Sequence, residues 1–228
     1  MDLSLCMDCN MLDRCMENCP AEAMVVCGQE YTPEALVDLL ERDRLFYGED
    51  GGVTFSGGEA MLQEDFLLRC LQLCKERGLH TCVDTAANVP SERMLRIAEL
   101  CDLMLIDLKA MDSERHKRLC GTDNKQILEN ICLLGYAGKP MWIRIPLVSG
   151  ENTQDEELCR MADFLSKIPS LKRVDLFPVM NHAQNKYRAL GIKGELFNQD
   201  VDENQLTDRA MMMLRERSHS KLCLNRLS

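Results

Sequence analysis

From Tyr31 onward, short apolar β-type runs alternate with amphipathic helical stretches, and this rhythm leaves few folds open to the chain. Thr32 can cap a helix with Pro33 at its first position, and Ala35, Leu36, Leu39 and Leu40 supply its apolar stripe. Val53-Thr54-Phe55 predicts a short strand that runs into Ser56-Gly57-Gly58-Glu59. Residues 64–77 predict a helix with Phe66, Leu67, Cys70, Leu71 and Cys74 on one face, ended by Gly78. His80-Thr81-Cys82-Val83 is then a strand that ends at Asp84-Thr85. Further helices are expected over 91–100, 125–136, 153–167 and 203–217. Further strands are expected at Leu103–Ile106, Met141–Ile145 and Val174–Phe177, five in all.

Strands separated by helices imply right-handed βαβ units and a parallel sheet, hence an α/β chain. The polar residues decide between an open sheet and a barrel. Glu59, Asp84, Asp107, Lys109 and Arg144 all fall at or just past the C-terminal end of a strand. That repetition fits a partial parallel β/α barrel, in which this end carries the site. The expected division is a cluster-bearing segment at 1–30, the partial barrel at 31–190, and a C-terminal tail with a helix at 191–228.

Composition narrows the function classes. Acids outnumber bases 37 to 27, a net charge of −10 that argues against nucleic acid or an anionic membrane as partner. No apolar run approaches the ~20 residues of a membrane helix, and the N-terminus lacks a secretory pattern. Thirteen cysteines without such a signal point to a reducing cytoplasm and to thiols that are packed, catalytic or metal-bound.

Five of those cysteines lie in the first 27 residues, and Cys6-x2-Cys9-x5-Cys15-x3-Cys19-Pro20 has the close spacing of a soft-ligand site. An iron–sulfur cluster is the expectation, against a zinc knuckle or unligated thiols. The gap of five residues exceeds the usual bacterial two, and Cys27 could stand in for Cys19 as a ligand. Cys70, Cys74, Cys82, Cys101, Cys120, Cys132 and Cys159 are read as packed residues. Gly57-Gly58 after a strand lets a ligand approach the backbone, with Glu59 free to receive an ammonium group, although a plain turn has the same sequence. Asp84, Thr85 and Asp107 suit ribose hydroxyls or a small cation, and Lys109 suits a carboxylate; surface ion pairing is the alternative. With Arg144 they make a pocket of both charge signs, fit for a zwitterion. Of the four histidines, only His182, in the loop after the last strand, could reach it, and the sequence does not assign it there.

Taken together, residues 31–190 resemble the radical S-adenosylmethionine activating enzymes of glycyl radical enzymes, of the pyruvate formate-lyase activase type. The matching stretches are FYGEDGGVTFSGGEAMLQ at 46–63, HTCVDTAANVP at 80–90, DLMLIDLKAMDSERHKRLCGTDNKQILENI at 102–131, IRIPLVSGENT at 143–153 and KYRALG at 186–191. The run from Cys6 through Cys9 and Cys15 to Cys19 resembles the ferredoxin-like insert of such activases. The resemblance implies S-adenosylmethionine and one or more [4Fe–4S] clusters as cofactors. It places Gly57, Gly58 and Glu59 at the methionine amino group, and Lys109 and Arg144 at its carboxylate. Asp84 would lie near the ribose or, with Thr85 and Asp107, at a monovalent cation. The implied reaction is reductive cleavage to a 5′-deoxyadenosyl radical, which takes hydrogen from a glycine of a partner glycyl radical enzyme. Flavodoxin or ferredoxin is the implied reductant.

The family's C-x3-C-x2-C cluster motif is absent: Glu22 and Arg77 stand where third cysteines would complete Cys15-x3-Cys19 and Cys70-x3-Cys74. The chain is accordingly expected to be truncated at its N-terminus, with the first strand of the barrel missing and one sheet flank unpaired, and it is expected not to cleave the cofactor. Met180 also stands where the family often has histidine. A short electron-transfer or partner-binding iron–sulfur protein is the alternative, and a radical enzyme acting on a small molecule is a third.

Overall fold

A computed structural model describes residues 19, 28–49, 51–181, 184–190, 194, 198, 201–219 and 221–227. Two compact units are present: Met1–Glu30 with Val179–Asp200, and Tyr31–Pro178 with Val201–Ser228. In the first, a short helix spans Gln184–Ala189. The ferredoxin-like insert expected at Cys6–Cys19 falls outside the described residues except for Cys19, as does His182.

The second unit is built on six parallel strands: β1 (Val53–Phe55), β2 (Thr81–Thr85), β3 (Leu103–Asp107), β4 (Met141–Leu147), β5 (Leu171–Pro178) and β6 (Leu224–Arg226). Their spatial order is β1-β2-β3-β4-β5-β6, the same as their order in the chain. A doubly wound sheet reverses direction midway, whereas here every crossover steps the same way. Right-handed crossovers of one direction put all the connecting helices on one face and leave the other concave. This is the expected partial β/α barrel, with β1 at one flank of the order. The sixth strand, Leu224-Asn225-Arg226, goes beyond the five expected; it has no alternation, and it forms because β5 offers an edge to pair with.

The helices of this unit are α1 (Pro33–Glu41), α2 (Arg44–Tyr47), α3 (Glu64–Glu76), α4 (Ser91–Leu100), α5 (Ser113–Cys120), α6 (Lys125–Tyr136), α7 (Asp155–Leu165) and, after α8 of the first unit, α9 (Glu203–Arg217). The Thr32 hydroxyl accepts from the Ala35 amide at 3.2 Å, as a capping residue should. The apolar face of α1 differs from expectation: Val37 is its buried residue, while Leu39 is exposed. Gly78 ends α3 in the left-handed region, at φ +65°, and lets the Leu79 amide reach the Cys74 carbonyl at 2.9 Å.

Period-two burial separates the faces of the sheet. On β4, Met141, Ile143, Ile145 and Leu147 are fully buried, while Trp142, Arg144 and Pro146 are only partly so. The buried set joins Val83, Met104 and Ile106 under helix residues such as Leu71, Ile97, Ile131, Leu134, Met161 and Leu165 to form the main core. A smaller core of Val37, Val53, Cys70, Leu73, Cys74 and Leu79 packs α1 against α3 beside β1. Burial pushes the Cys70 and Cys74 thiols up to about 11, so they behave as neutral packing groups. Truncating Ile143→Ala in the central strand should cost about 2–5 kcal/mol by denaturant unfolding. Leu45→Ala, at a side chain that is 93% exposed, should be near neutral in the same measurement.

Candidate active site

Strand register brings the predicted polar residues together. β2 pairs Asp84 with Leu105, and β3 pairs Asp107 with Arg144. Alternation turns Asp84, Asp107 and Arg144 away from the buried helix-covered face, onto the partly open one. The Arg144 guanidinium lies between the two acids: it donates to Asp84 Oδ1 and, through Nε, to Asp107 Oδ1 at 2.9 Å. Lys109, two residues past Asp107, donates from Nζ to Asp107 Oδ2 at 2.8 Å. Two carboxylates and two cations thus form one chain of ion pairs across three adjacent strands, with side chains between 20% and 32% accessible.

The environment of Asp84 shows how finely this is balanced. Loss of solvent raises its pKa, Arg144 opposes the rise, and Asp107 and Glu59 add to it. Asp84 therefore holds its proton more tightly when folded than when unfolded. Its titration favours the folded chain below the ordinary carboxylate value, and that contribution is lost as pH rises through the raised one.

Glu59 is fixed from three directions. Its Oε1 accepts from the Met61 amide at 3.1 Å and the Thr85 hydroxyl at 2.8 Å, and its Oε2 accepts from the Ala86 amide at 2.9 Å. These contacts cap a 3-10 turn at Ala60–Gln63 and tie the loop after β1 to the end of β2. The Thr85 hydroxyl is committed to Glu59 and also accepts from the Ala87 amide at 2.9 Å. Gly57 has φ +132°, so its backbone conformation calls for glycine. A Cβ on Gly57 or Gly58 would meet nothing within 4 Å, which leaves the main chain open to a ligand.

Several residues of this region do not stand out in the sequence. Asp175 on β5 lies opposite Arg144 and is almost fully buried. It is ion-paired to Arg173 at 2.8 Å and accepts from Asn225 Nδ2 at 2.8 Å. The Arg173 guanidinium stacks 3.6 Å from the Trp142 ring centroid. A lone acid in the apolar run Val174-Asp175-Leu176-Phe177 is the signal that could have found it. Three buried asparagines also serve the strand ends. Asn130 Nδ2 donates to the Ala87 and Val89 carbonyls, Asn124 Nδ2 to those of Ala110 and Met111, and Asn152 Nδ2 to those of Lys109 and Pro146. Each holds a loop just beyond a strand, and nothing in composition or spacing marks it.

Among the expected metal ligands, Cys6, Cys9 and Cys15 lie outside the described residues, and Cys19 is half-buried. Among the described residues, no group of three or more His, Cys, Asp or Glu is arranged to hold a metal ion. The expectation that Cys120 packs inside is corrected: it is exposed, because it ends α5 beside the left-handed Gly121. His116 is buried, with Nδ1 2.7 Å from the Thr122 carbonyl, and has a structural role.

Residues 12–162 match the Radical SAM superfamily. The chain is 36% identical over 212 residues to the 4-hydroxyphenylacetate decarboxylase activating enzyme of Clostridioides difficile (strain 630), covering 91% of this chain and 66% of that protein. It is 40% identical over 169 residues to the trans-4-hydroxy-L-proline dehydratase activating enzyme of Clostridioides difficile, covering 72% of this chain and 56% of that protein. The chain thus spans somewhat under two thirds of the length of these relatives. A crystal structure of a domain of pyruvate-formate lyase-activating enzyme from Bacteroides vulgatus ATCC 8482 superposes with a TM-score of 0.65 at 30% identity, covering 78% of this chain and 99% of that one. The match over most of its length shows that the chain belongs to the radical SAM superfamily.

Proposed function

We propose that this chain acts in the activation of a glycyl radical enzyme, binding S-adenosylmethionine at the strand ends of its partial barrel. The observation that carries this reading is the mixed-charge array of Asp84, Asp107, Lys109 and Arg144 beside the bare Gly57-Gly58 backbone. The residues fit a zwitterionic ligand. Lys109 and Arg144 offer charged donors to a carboxylate. The Gly57–Glu59 segment offers main-chain and carboxylate acceptors to an ammonium group, and Asp84 can receive ribose hydroxyls. A monovalent cation at Asp84, Thr85 and Asp107 is the alternative use of those acids.

Enzymes of this superfamily use a [4Fe–4S] cluster and S-adenosylmethionine, and the bound cofactors supply one-electron chemistry that ends in hydrogen abstraction. The contribution of this chain is to bind and orient. Lys109 and Arg144 exchange part of their bonding to Asp107 for bonds to the ligand carboxylate, so the acids hold both cations in place beforehand. Glu59, anchored by Thr85 and Ala86, keeps the glycine segment from drifting when the ligand docks. For the ferredoxin-like segment, Cys6, Cys9, Cys15 and Cys19 are the proposed ligands. Flavodoxin or ferredoxin is the proposed reductant, and the cytoplasm, where thiols stay reduced, the proposed location. Among the described residues no helix is long and apolar enough to cross a membrane.

The direct test is equilibrium dialysis of labelled S-adenosylmethionine against the purified chain under anaerobic conditions. Saturable binding that S-adenosylhomocysteine displaces is expected, and Lys109→Ala should weaken it about tenfold, the scale of one charge-assisted hydrogen bond. Unchanged affinity would remove Lys109 from the site. The partner assignment is checked by titrating the chain into a purified glycyl radical enzyme and reading complex formation by calorimetry; saturable binding is expected, without a glycyl radical signal because the C-x3-C-x2-C motif is absent, and no binding counts against the assignment. A further consequence concerns Asp84. In Arg144→Met the attraction that opposes desolvation is gone, so the Asp84 titration midpoint should move up further, read from side-chain carboxyl ¹³C shifts.

A further inference from the structure

Lys109 lies just past β3 and Arg144 lies within β4, and a single buried side chain joins the two segments. Leu108 is the last residue of its segment with a ladder bond, its amide donating to the Arg144 carbonyl at 2.9 Å. The next carbonyl, that of Lys109, has no strand to pair with. Asn152 takes it: Nδ2 donates to the Lys109 carbonyl at 2.8 Å and to the Pro146 carbonyl at 2.7 Å. Its Oδ1 accepts from the Val148 amide at 2.8 Å. The side chain is fully buried. Only a carboxamide supplies two donors and an acceptor in this space. Aspartate would point a charge at two carbonyl oxygens, and an apolar residue would leave three buried groups unpaired.

Those bonds act on the backbone of Lys109 itself and on the chain two residues past Arg144. They set where the Lys109 Nζ can reach, and hence its distance from the Arg144 guanidinium. We propose that Asn152 is the positioning residue for the carboxylate-binding pair Lys109 and Arg144, fixing their spacing without touching the ligand. This inference rests on the cofactor site assigned under Proposed function, and its predicted effect is selective. Loss of the Asn152 amide donors should harm recognition of the ligand carboxylate and spare the rest of the ligand.

The test compares two ligands on the full chain by equilibrium dialysis: S-adenosylmethionine, and decarboxylated S-adenosylmethionine, which lacks the group that Lys109 and Arg144 would meet. The unmodified protein should prefer the first. In Asn152→Asp, affinity for S-adenosylmethionine should fall about tenfold, while affinity for the decarboxylated ligand stays within about twofold. Thr207→Val, at a buried hydroxyl that donates to the Glu203 carbonyl on α9, controls for general softening. It should lower the melting midpoint and leave the preference intact. Asn152→Ser keeps an oxygen for Val148 without the amide donors, and is read in the same way if the aspartate variant does not fold. A parallel loss for both ligands, or no loss for either, overturns the positioning role. If the unmodified protein binds neither ligand, the cofactor site itself is wrong. If it binds both equally, the carboxylate assignment of Lys109 and Arg144 is wrong, and the inference falls with it.

Discussion

One guanidinium bridges two carboxylates across three parallel strands, and much of the site's geometry follows from that arrangement. Asp84 and Asp107 end neighbouring strands and point to the same face. In a half-buried setting such a pair repels itself, and desolvation adds to the cost of each charge. Arg144 answers both because β3–β4 register sets it directly opposite Asp107, with its long side chain able to reach Asp84 one strand further. Lys109 then balances the second oxygen of Asp107. The result is an array that is close to neutral, partly wet and rich in donors. A zwitterion can exchange into it without exposing an isolated buried charge.

The scaffold under this array is of a different kind. The sheet is held from its helix-covered face by close-packed apolar side chains, and the loops past its edge by amide groups. The ladder of a parallel sheet stops at the last paired residue, so the carbonyls just beyond it need new partners. Asn130 meets that need past β2, and Asn124 and Asn152 meet it past β3, with the second hydrogen of Asn152 going to Pro146 near the end of β4. Glu157 does the converse, accepting from the Met111 and Asp112 amides. Charged residues face the open side of the sheet, and neutral amides hold the backbone that presents them.

Much of the fold was legible in the sequence. The helices expected over 91–100, 125–136 and 203–217 span Ser91–Leu100, Lys125–Tyr136 and Glu203–Arg217 in the structure. Amphipathic period and flanking Pro, Gly or Asp decide such elements locally. The charged site residues were also legible, because a charge that recurs where an apolar strand stops has a common location in a β/α barrel. What escaped notice depends on tertiary context. β6 exists only as an added edge. The asparagines look like ordinary loop and helix polar residues until the carbonyls they serve are in place. Cys120 is a different case: Lys117, Arg118, Thr122 and Asp123 around it already mark a polar stretch, and it ends α5 exposed.

Agreement between strand order and chain order also has a consequence for assembly. Each strand from β2 to β6 pairs with its immediate predecessor, so the sheet can grow by one βα unit at a time as the chain leaves the ribosome, without waiting for a distant partner. The charges do not follow that schedule. Asp84 and Asp107 are laid side by side when β3 docks; Lys109 follows at once to answer Asp107, but the partner of Asp84 arrives only with β4, 60 residues after it. A nascent chain halted between the two events carries one carboxylate more than its rim can balance, and docking of β4 both extends the sheet and supplies the missing charge.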